Sequence, residues 1–285
     1  MKAPRRLQPL IDDGLVDAVL SRLKSGKEAD IFVVRCGDEE RCAKVYKDIQ
    51  KRSFKQASQY QEGRKVRNSR RARAMEKGSR YGRAQEEETW HNAEMDALNR
   101  LANTPVRIPE NYGCFDGVLL LELICDEDGY VAPRLIDIDL SPQQAVAQHA
   151  VLMEYVKHML CAGLVHGDLS EFNVLVDDQG PVIIDFPQAL DAAANNHAEV
   201  SLSRDVENIT NFYGQFAPDL LQSRFAEEMW ALYADGKLLP ESVLTGEFKR
   251  AEGAVDVESV LDDIQTVIDE EDERQALESM GVHGD

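Results

Sequence analysis

LVHGDLSEFNVLVDDQGPVIID, residues 164–185, is the stretch that decides the fold. Asp168 is followed five residues later by Asn173. Two apolar runs then flank Asp178-Gln179-Gly180, and Asp185 closes the second run. Short β-branched runs around such a turn predict a hairpin over 173–185. A hairpin joins its own ends, so Asn173 and Asp185 meet, with Asp168 just upstream. These residue types suit phosphoryl transfer, which asks little covalent chemistry of a protein. It needs a carboxylate to accept or orient the proton of the attacking hydroxyl, and oxygen ligands to hold a cation on the phosphates. Mg²⁺ is a hard ion that takes such oxygens. Each residue alone reads better as a turn former or strand cap; their order and the hairpin between them favour the chemistry. His166 reads as a structural histidine bonded to backbone in the turn rather than as a proton carrier.

Upstream, Lys44 lies in the strand-like run Cys-Ala-Lys-Val-Tyr, an apolar setting that is unfavourable for an ammonium unless it is paired. Its partner is expected on a helix over 85–103, where Trp90, Ala97, Leu98 and Leu101 share one face and Pro105 stops the helix. Glu94 falls on that face, and a carboxylate there is either paired or strongly shifted. Lys44 snorkelling to solvent, with Glu94 on a polar edge, is the alternative. Ser25-Gly26-Lys27 precedes the strand-like run 30–34 and offers a small-residue loop whose backbone N–H groups can approach phosphate. The apolar run 117–124 predicts a buried strand, and backbone groups near Glu122 and Ile124 are placed to meet an adenine.

Several helices are expected. Leu15, Val16, Val19, Leu20 and Leu23 have helical spacing and predict a helix over 11–23. Ser141-Pro142 is a strong helix start, and Gly163 is its stop. Val257, Val260, Leu261, Ile264 and Ile268 continue the helical pattern near the end. Strands lie mostly in the first half and helices in the second, which predicts an α+β chain with a small β-rich lobe on a helical one. The divisions expected are a helical segment at 1–23, the β-rich lobe at 24–124, the helical lobe at 125–250 and an acidic helical tail at 251–285.

The 285 residues carry 43% apolar and 29% charged residues, ordinary for a soluble domain. The net charge of −20 argues against a general nucleic-acid coat. Charge is uneven, however: residues 47–83 hold 13 Lys/Arg against 3 Asp/Glu, and the last 35 residues hold 12 Asp/Glu against one Arg. The basic block, within a long loop expected over about 51–86, is either a docking surface for an anionic partner such as RNA or a solvated loop that keeps the chain soluble. The five scattered cysteines read as reduced thiols of a cytoplasmic protein. No apolar run suits a signal peptide or a membrane span.

Together these residues resemble the RIO family of atypical protein kinases. Residues 26–30 (GKEAD) resemble the family's phosphate loop, 166–173 (HGDLSEFN) its catalytic loop, 184–188 (IDFPQ) its metal loop, and 203–208 (SRDVEN) a further family segment. The resemblance covers roughly residues 10–215. It implies a two-lobed protein-kinase-like fold with a reduced helical lobe, ATP with Mg²⁺ or Mn²⁺, and Ser/Thr phosphorylation, often of the enzyme itself. By this resemblance Asp168 is the catalytic acidic residue, Asn173 and Asp185 hold metal, Lys44 contacts phosphates, Glu94 orients Lys44, and Ser25, Gly26 and Lys27 form the phosphate loop. The metal loop is similar to the family's second subtype and the phosphate loop to its first. The winged-helix domain of the second subtype is not expected here. Members linked to ribosome assembly make a ribosomal or RNA partner one setting.

Two other classes remain open. HGDxxxxN is also similar to antibiotic and choline kinases, although those usually carry a bulkier helical lobe. An ATP-bound switch or ATPase on a ribonucleoprotein fits the same residues.

Overall fold

The structure, a computed structural model, describes residues 4–26, 28–47 and 93–248. Lys27, the basic block, Trp90 and the acidic tail lie outside the described residues.

The first lobe is an antiparallel five-stranded sheet. Strands β1 (Ala18–Ser25), β2 (Ala29–Cys36), β3 (Glu39–Tyr46), β4 (Asn111–Phe115) and β5 (Val118–Glu122) pair in the order β1-β2-β3-β5-β4. Side chains alternate across a strand, and the alternation sorts this sheet's residues to two faces. Phe32, Val34, Ala43, Val45, Val118 and Leu120 pack against Leu10 of a short helix, α1 (Gln8–Asp12), and against Leu7 just before it. Tyr46, Leu119 and Leu121 face the other way, onto Ala97, Leu98 and Leu101 of a helix described over 93–101, here α2. Lys44, two residues before Tyr46 on β3, shares that second face.

The expected helix over 11–23 is replaced by the end of α1 and by strand β1. Gly14, at φ +73°, closes α1: its N–H bonds Ile11 O (3.1 Å) and the Leu15 N–H bonds Leu10 O (2.9 Å). This is the glycine-terminated helix end that an L side chain disfavours. The β1–β2 pairing then slips between Val19 and Ser21 and again between Arg22 and Lys24. These irregularities break the two-residue alternation, which is why the apolar spacing of an edge strand mimics a helix. Leu15 and Leu23, expected on a buried helical face, stay exposed.

The second lobe is built on helices α3 (Pro142–Cys161), α4 (Ala198–Gly214) and α5 (Phe225–Ala234). Ser141 caps α3 through a reciprocal capping box with Gln144, as its sequence predicts. Gly163 (φ +74°) ends the helix, and its turn leaves room for Arg100 of α2. Arg100 donates to Ala162 O (2.7 Å) and Gly163 O (3.1 Å), tying α2 to the end of α3. Leu152, Val156 and Leu160 of α3 pack on Ile209, Phe212 and Tyr213 of α4, in the same apolar core that reaches α2 and the sheet. Two small β pairs finish the lobe: β6 (Leu164–Val165) with β9 (Leu190–Asp191), and the expected hairpin β7 (Val174–Asp177) with β8 (Gly180–Ile183). Arg107, leaving α2 for β4, grips Asp177 bidentately at 2.6 and 2.8 Å and anchors the hairpin to the sheet lobe. Among the described residues no helix is long and apolar enough to cross a membrane.

His149 is buried between α3 and α4, its Nε2 3.0 Å from Thr210 Oγ1 with the Tyr213 and Phe225 rings beside it. Burial pushes its pKa down to about 4. The native state therefore keeps it neutral while the unfolded chain protonates it below its ordinary value near 6.5. Between these values the unfolded state binds more protons, so this residue makes stability fall as pH falls. Replacing His149 by Gln is expected to remove up to about 1.4 kcal/mol of stability change per pH unit between pH 6.5 and 4. Urea midpoints of parent and variant at several pH values in that range provide the measurement.

Candidate active site

The site is built around one buried ammonium. Lys44 Nζ donates to Glu94 Oε1 (2.7 Å), Glu94 Oε2 (2.8 Å) and Asp185 Oδ1 (2.5 Å). Glu94 is 1% exposed, and its carboxylate also accepts the Tyr46 hydroxyl and the Phe186 N–H (3.3 Å). Charges taken from water cost several kcal/mol each unless paired and hydrogen-bonded, and these donors meet that condition. Burial alone would depress the Lys44 ammonium, but Asp185 and Glu94 reverse this and hold it above its ordinary value. Burial pushes the Glu94 carboxyl up against the opposing pull of Lys44. For Asp185 the balance inverts: burial raises it, yet the Lys44 charge outweighs burial and keeps it below the usual carboxylate range.

Asp185 has φ +73°, a left-handed conformation that non-glycine residues adopt at a cost of about 1–3 kcal/mol. The turn it makes separates two directions. Ile184 continues the hairpin through its N–H to Asn173 O (3.0 Å), and Phe186 dives into the core against the His166 ring, 4.8 Å between centroids. The Asp185 side chain is left 44% exposed, on the cleft side.

The loop after β6 supplies Asp168. Gly167 stands at φ +79°, and a Cβ there would lie 2.5 Å from Gln188 O, so the two loops approach as closely as glycine permits. Asn173 Nδ2 donates to Asp168 O (2.9 Å) and comes within 3.5 Å of Asp168 Oδ2, which Gln188 Nε2 approaches at 3.4 Å. Burial, with the nearby Asp185 charge, raises the Asp168 carboxyl. His166 is fully buried and pushed down to about 4 by burial. Its Nε2 lies 3.1 Å from Ile184 O and its Nδ1 accepts the Asp168 N–H (3.3 Å), which assigns the ring proton to Nε2. This matches its expected structural role, since neither ring nitrogen is left to move a proton.

Helix α4 braces the loop from below. Asp205 accepts the N–H groups of Gly167 (2.7 Å) and Leu169 (2.9 Å), Asn208 Nδ2 donates to Leu169 O (3.0 Å), and Arg204 donates to Gly167 O. Burial pushes Asp205 up to about 7 even against these amide donors.

Ser25 and Gly26 lie at the β1–β2 turn. Ser25 Oγ donates to Asp30 (2.5 Å), Lys47 Nζ donates to Gly26 O (2.7 Å), and the Gly26 N–H is engaged with Ala29 O (2.8 Å). The charge of Glu28 in this turn adds to the rise of the Asp168 carboxyl, and that of Lys24 at the end of β1 adds to the lowering of Asp185. Glu122 and Ile124 lie where β5 leaves the sheet. The Glu122 N–H donates to Glu110 O and Ile124 O accepts the Ala132 N–H, both at 2.9 Å, so these two groups serve the fold.

The RIO domain family model matches residues 30–226. The chain belongs to the RIO family. It is 34% identical over 212 residues to the RIO-type serine/threonine-protein kinase Rio1 of Haloferax volcanii, covering 74% of this chain and 68% of that one. It is 33% identical to Rio1 of Methanocaldococcus jannaschii, over 67% of this chain and 61% of that one, and 27% identical to serine/threonine-protein kinase RIO1 of Homo sapiens, over 82% and 39%. The chain thus spans about two thirds of the archaeal relatives and two fifths of the human one. Its fold is similar to the Rio2 kinase of Chaetomium thermophilum, solved as an ADP/Mg²⁺-phosphoaspartate complex (TM-score 0.53, 21% identity, 81% of this chain and 70% of that chain).

Within this RIO domain the structure brings Lys44, Glu94, Asp185, Asn173 and Asp168 into one cleft. Sequence reasoning missed the roles of Tyr46, Gln188 and the α4 brace. Asp205 carried a usable signal: a carboxylate between Leu202, Val206 and Ile209 on an apolar helix face is as anomalous as Glu94. Tyr46 signalled itself only by sharing the β3 face of Lys44. Gln188 entered only as the end of the metal-loop resemblance, because its meeting with Asp168 depends on how two loops cross.

Removing Lys44 while Glu94 stays buried is expected to cost about 3–5 kcal/mol of stability. Lys44→Met/Glu94→Gln should be more stable than Lys44→Met alone, because the remaining amide still pairs with Tyr46 and Phe186. Denaturant titration of the parent, both single variants and the double variant measures this coupling.

Proposed function

We propose that this RIO-family chain is an ATP-dependent serine/threonine kinase in which Asp168 receives the proton of the attacking hydroxyl. The observation that carries this reading is the sharing of Lys44 between buried Glu94 and cleft-facing Asp185, with Asp168 and Asn173 bonded beside them. Lys44 turns the donor it gives Asp185 toward phosphate oxygens while its two bonds to Glu94 keep it in place. The raised Asp168 carboxyl is exposed enough to meet a hydroxyl and sits where its proton affinity is increased.

The donor types fit a hard cation. No cluster of three or more His, Cys, Asp or Glu side chains able to hold a metal forms among the described residues. An ion here draws on the Asp185 carboxylate and the Asn173 amide oxygen, whose Nδ2 is already turned to Asp168. Two protein oxygens suit Mg²⁺, which keeps water and phosphate oxygens for its other positions, and Mn²⁺ takes the same donors. When bound, the ion neutralises phosphate charge. The β1–β2 turn (Ser25, Gly26, with Lys27 between the described residues) covers the phosphates, and the β5 exit at Glu122 and Ile124 receives the base.

With Mg²⁺ and γ-labelled ATP, the full chain is expected to place label on Ser or Thr. Asp168→Ala should lower the rate by about 10²–10⁴-fold. Asp185→Asn should weaken nucleotide binding in Mg²⁺ but change little in chelator. Undiminished label on Asp168→Ala refutes this assignment.

A second reading is favoured by one relative. The Rio2 structure of Chaetomium thermophilum contains a phosphoaspartate. In this chain the same chemistry would have a carboxylate oxygen of Asp168 or Asp185 attack the γ-phosphorus, release ADP and later lose phosphate to water. Hydroxylamine discriminates: acyl phosphate label is released by it, and phosphoserine label stays.

A further inference from the structure

One cation near the site plays no part in the phosphoryl transfer described above. Lys47 follows β3, and its ammonium reaches back to the β1–β2 turn. It donates to Gly26 O (2.7 Å) and Ser25 Oγ (3.2 Å) and pairs with Asp30 Oδ1 (3.1 Å). Ser25 Oγ donates to the same Asp30 oxygen (2.5 Å). The backbone adds a further tie, since the Lys47 N–H donates to Glu28 O (2.8 Å). Burial would raise the Asp30 carboxyl, but the Ser25 hydroxyl and the Lys47 and Arg22 charges hold it below the usual carboxylate range. The Lys47–Asp30 pair is therefore ionised at neutral pH.

The strand register sets what this cation can do. Asp30 opposes Val45 across β2 and β3, and Ile31 opposes Lys44. Opposed residues share a face and successive residues alternate, so Asp30 lies on the face of the sheet away from Lys44. Lys44 and its carboxylate partners hold the cleft face. The Lys47 ammonium meets Asp30 on the far one. What it takes from the turn is a carbonyl. Gly26 O goes to the ammonium, Glu28 O to the Lys47 N–H, and Ala29 O accepts the Gly26 N–H (2.8 Å). A turn receives phosphate through N–H groups, the positive ends of its peptide dipoles. A carbonyl turned toward phosphate repels it. Gly26 O, Glu28 O and Ala29 O are all engaged within the protein instead.

We propose that Lys47 is a positioning residue for the nucleotide: its ammonium, braced by Asp30, locks Gly26 O away from the phosphates and keeps the turn in the conformation that receives them. The proposal rests on the kinase reading, in which this turn covers the phosphates of ATP. Lys47 acts through the turn and does not touch the nucleotide, whereas Lys44 meets phosphate from the cleft face. The division follows from the strand itself, because the two ammonium groups leave β3 and its extension on opposite faces.

Amide hydrogen exchange and calorimetry on the full chain test this together. Lys47→Met should speed exchange in peptides covering 25–30 and leave adenosine binding as in the parent. It should weaken Mg²⁺-ATP binding about ten-fold, the effect of losing one hydrogen bond to a charged group. Lys47→Arg spans the same acceptors and should restore both exchange and ATP binding. Asp30→Ala separates positioning from charge. It removes a negative charge from the sheet, so a cation acting only through its field would bind ATP more tightly in this variant; the proposal requires weaker binding. Unchanged exchange at 25–30 in Lys47→Met, or ATP bound as tightly as by the parent, overturns the proposal. Equal losses for ATP and adenosine overturn it too, because they mark general damage to the lobe. A parent chain that binds no ATP, with exchange at 25–30 still faster in Lys47→Met, would instead refute the kinase reading and leave the lock on the turn standing.

Discussion

The Lys44 ammonium is the element on which the rest of this structure depends. It comes from the sheet, its buried partner Glu94 comes from α2, and its cleft-facing partner Asp185 comes from the turn after β8. One cation therefore fastens three separately built pieces. An unpaired buried charge is costly enough that α2 is constrained to sit with Glu94 over β3, and the Asp185 turn is constrained to lie under both. Tyr46 and the Phe186 N–H complete the shell around Glu94, so its carboxylate does not rely on Lys44 alone.

The second constraint is the support of the catalytic loop. Gly167 must pass close to Gln188, which excludes a side chain, and its backbone must be held in an uncommon conformation. Asp205, Arg204 and Asn208, all on one face of α4, bond four backbone groups of that loop. His166 bonds the loop to the hairpin from above through Ile184. Asp168 is thus positioned by α4 and the hairpin, and its exposed carboxylate is the part left available.

The acidic helical lobe extends this logic outward. Residues 93–248, which hold α2, β4, β5 and the helical lobe, carry 26 acidic and 7 basic residues, a balance that repels acidic polypeptides and nucleic acid alike. The basic residues 47–83 lie between β3 and α2 in the chain, so they join the two elements that carry Lys44 and Glu94.

Much of this was readable from residues alone. The hairpin 173–185, the capped helix from Ser141 to its stop at Gly163, and the anomalous Lys44 and Glu94 in apolar runs are all local signals. Each states a requirement, a turn, a cap or a buried charge needing a partner, that holds whatever surrounds it. The helix expected over 11–23 failed because Gly14 ends α1 and bulges disturb β1; the glycine stop is local, but the bulges depend on pairing with β2. What the amino-acid order determined by itself was which groups needed partners. Which partners they received was decided only by the tertiary structure: Lys44 shared with Asp185, Gly167 against Gln188, the α4 brace under Asp168. These contacts join residues tens to more than a hundred positions apart or across crossing loops, and their geometry comes from packing that no local run of sequence encodes.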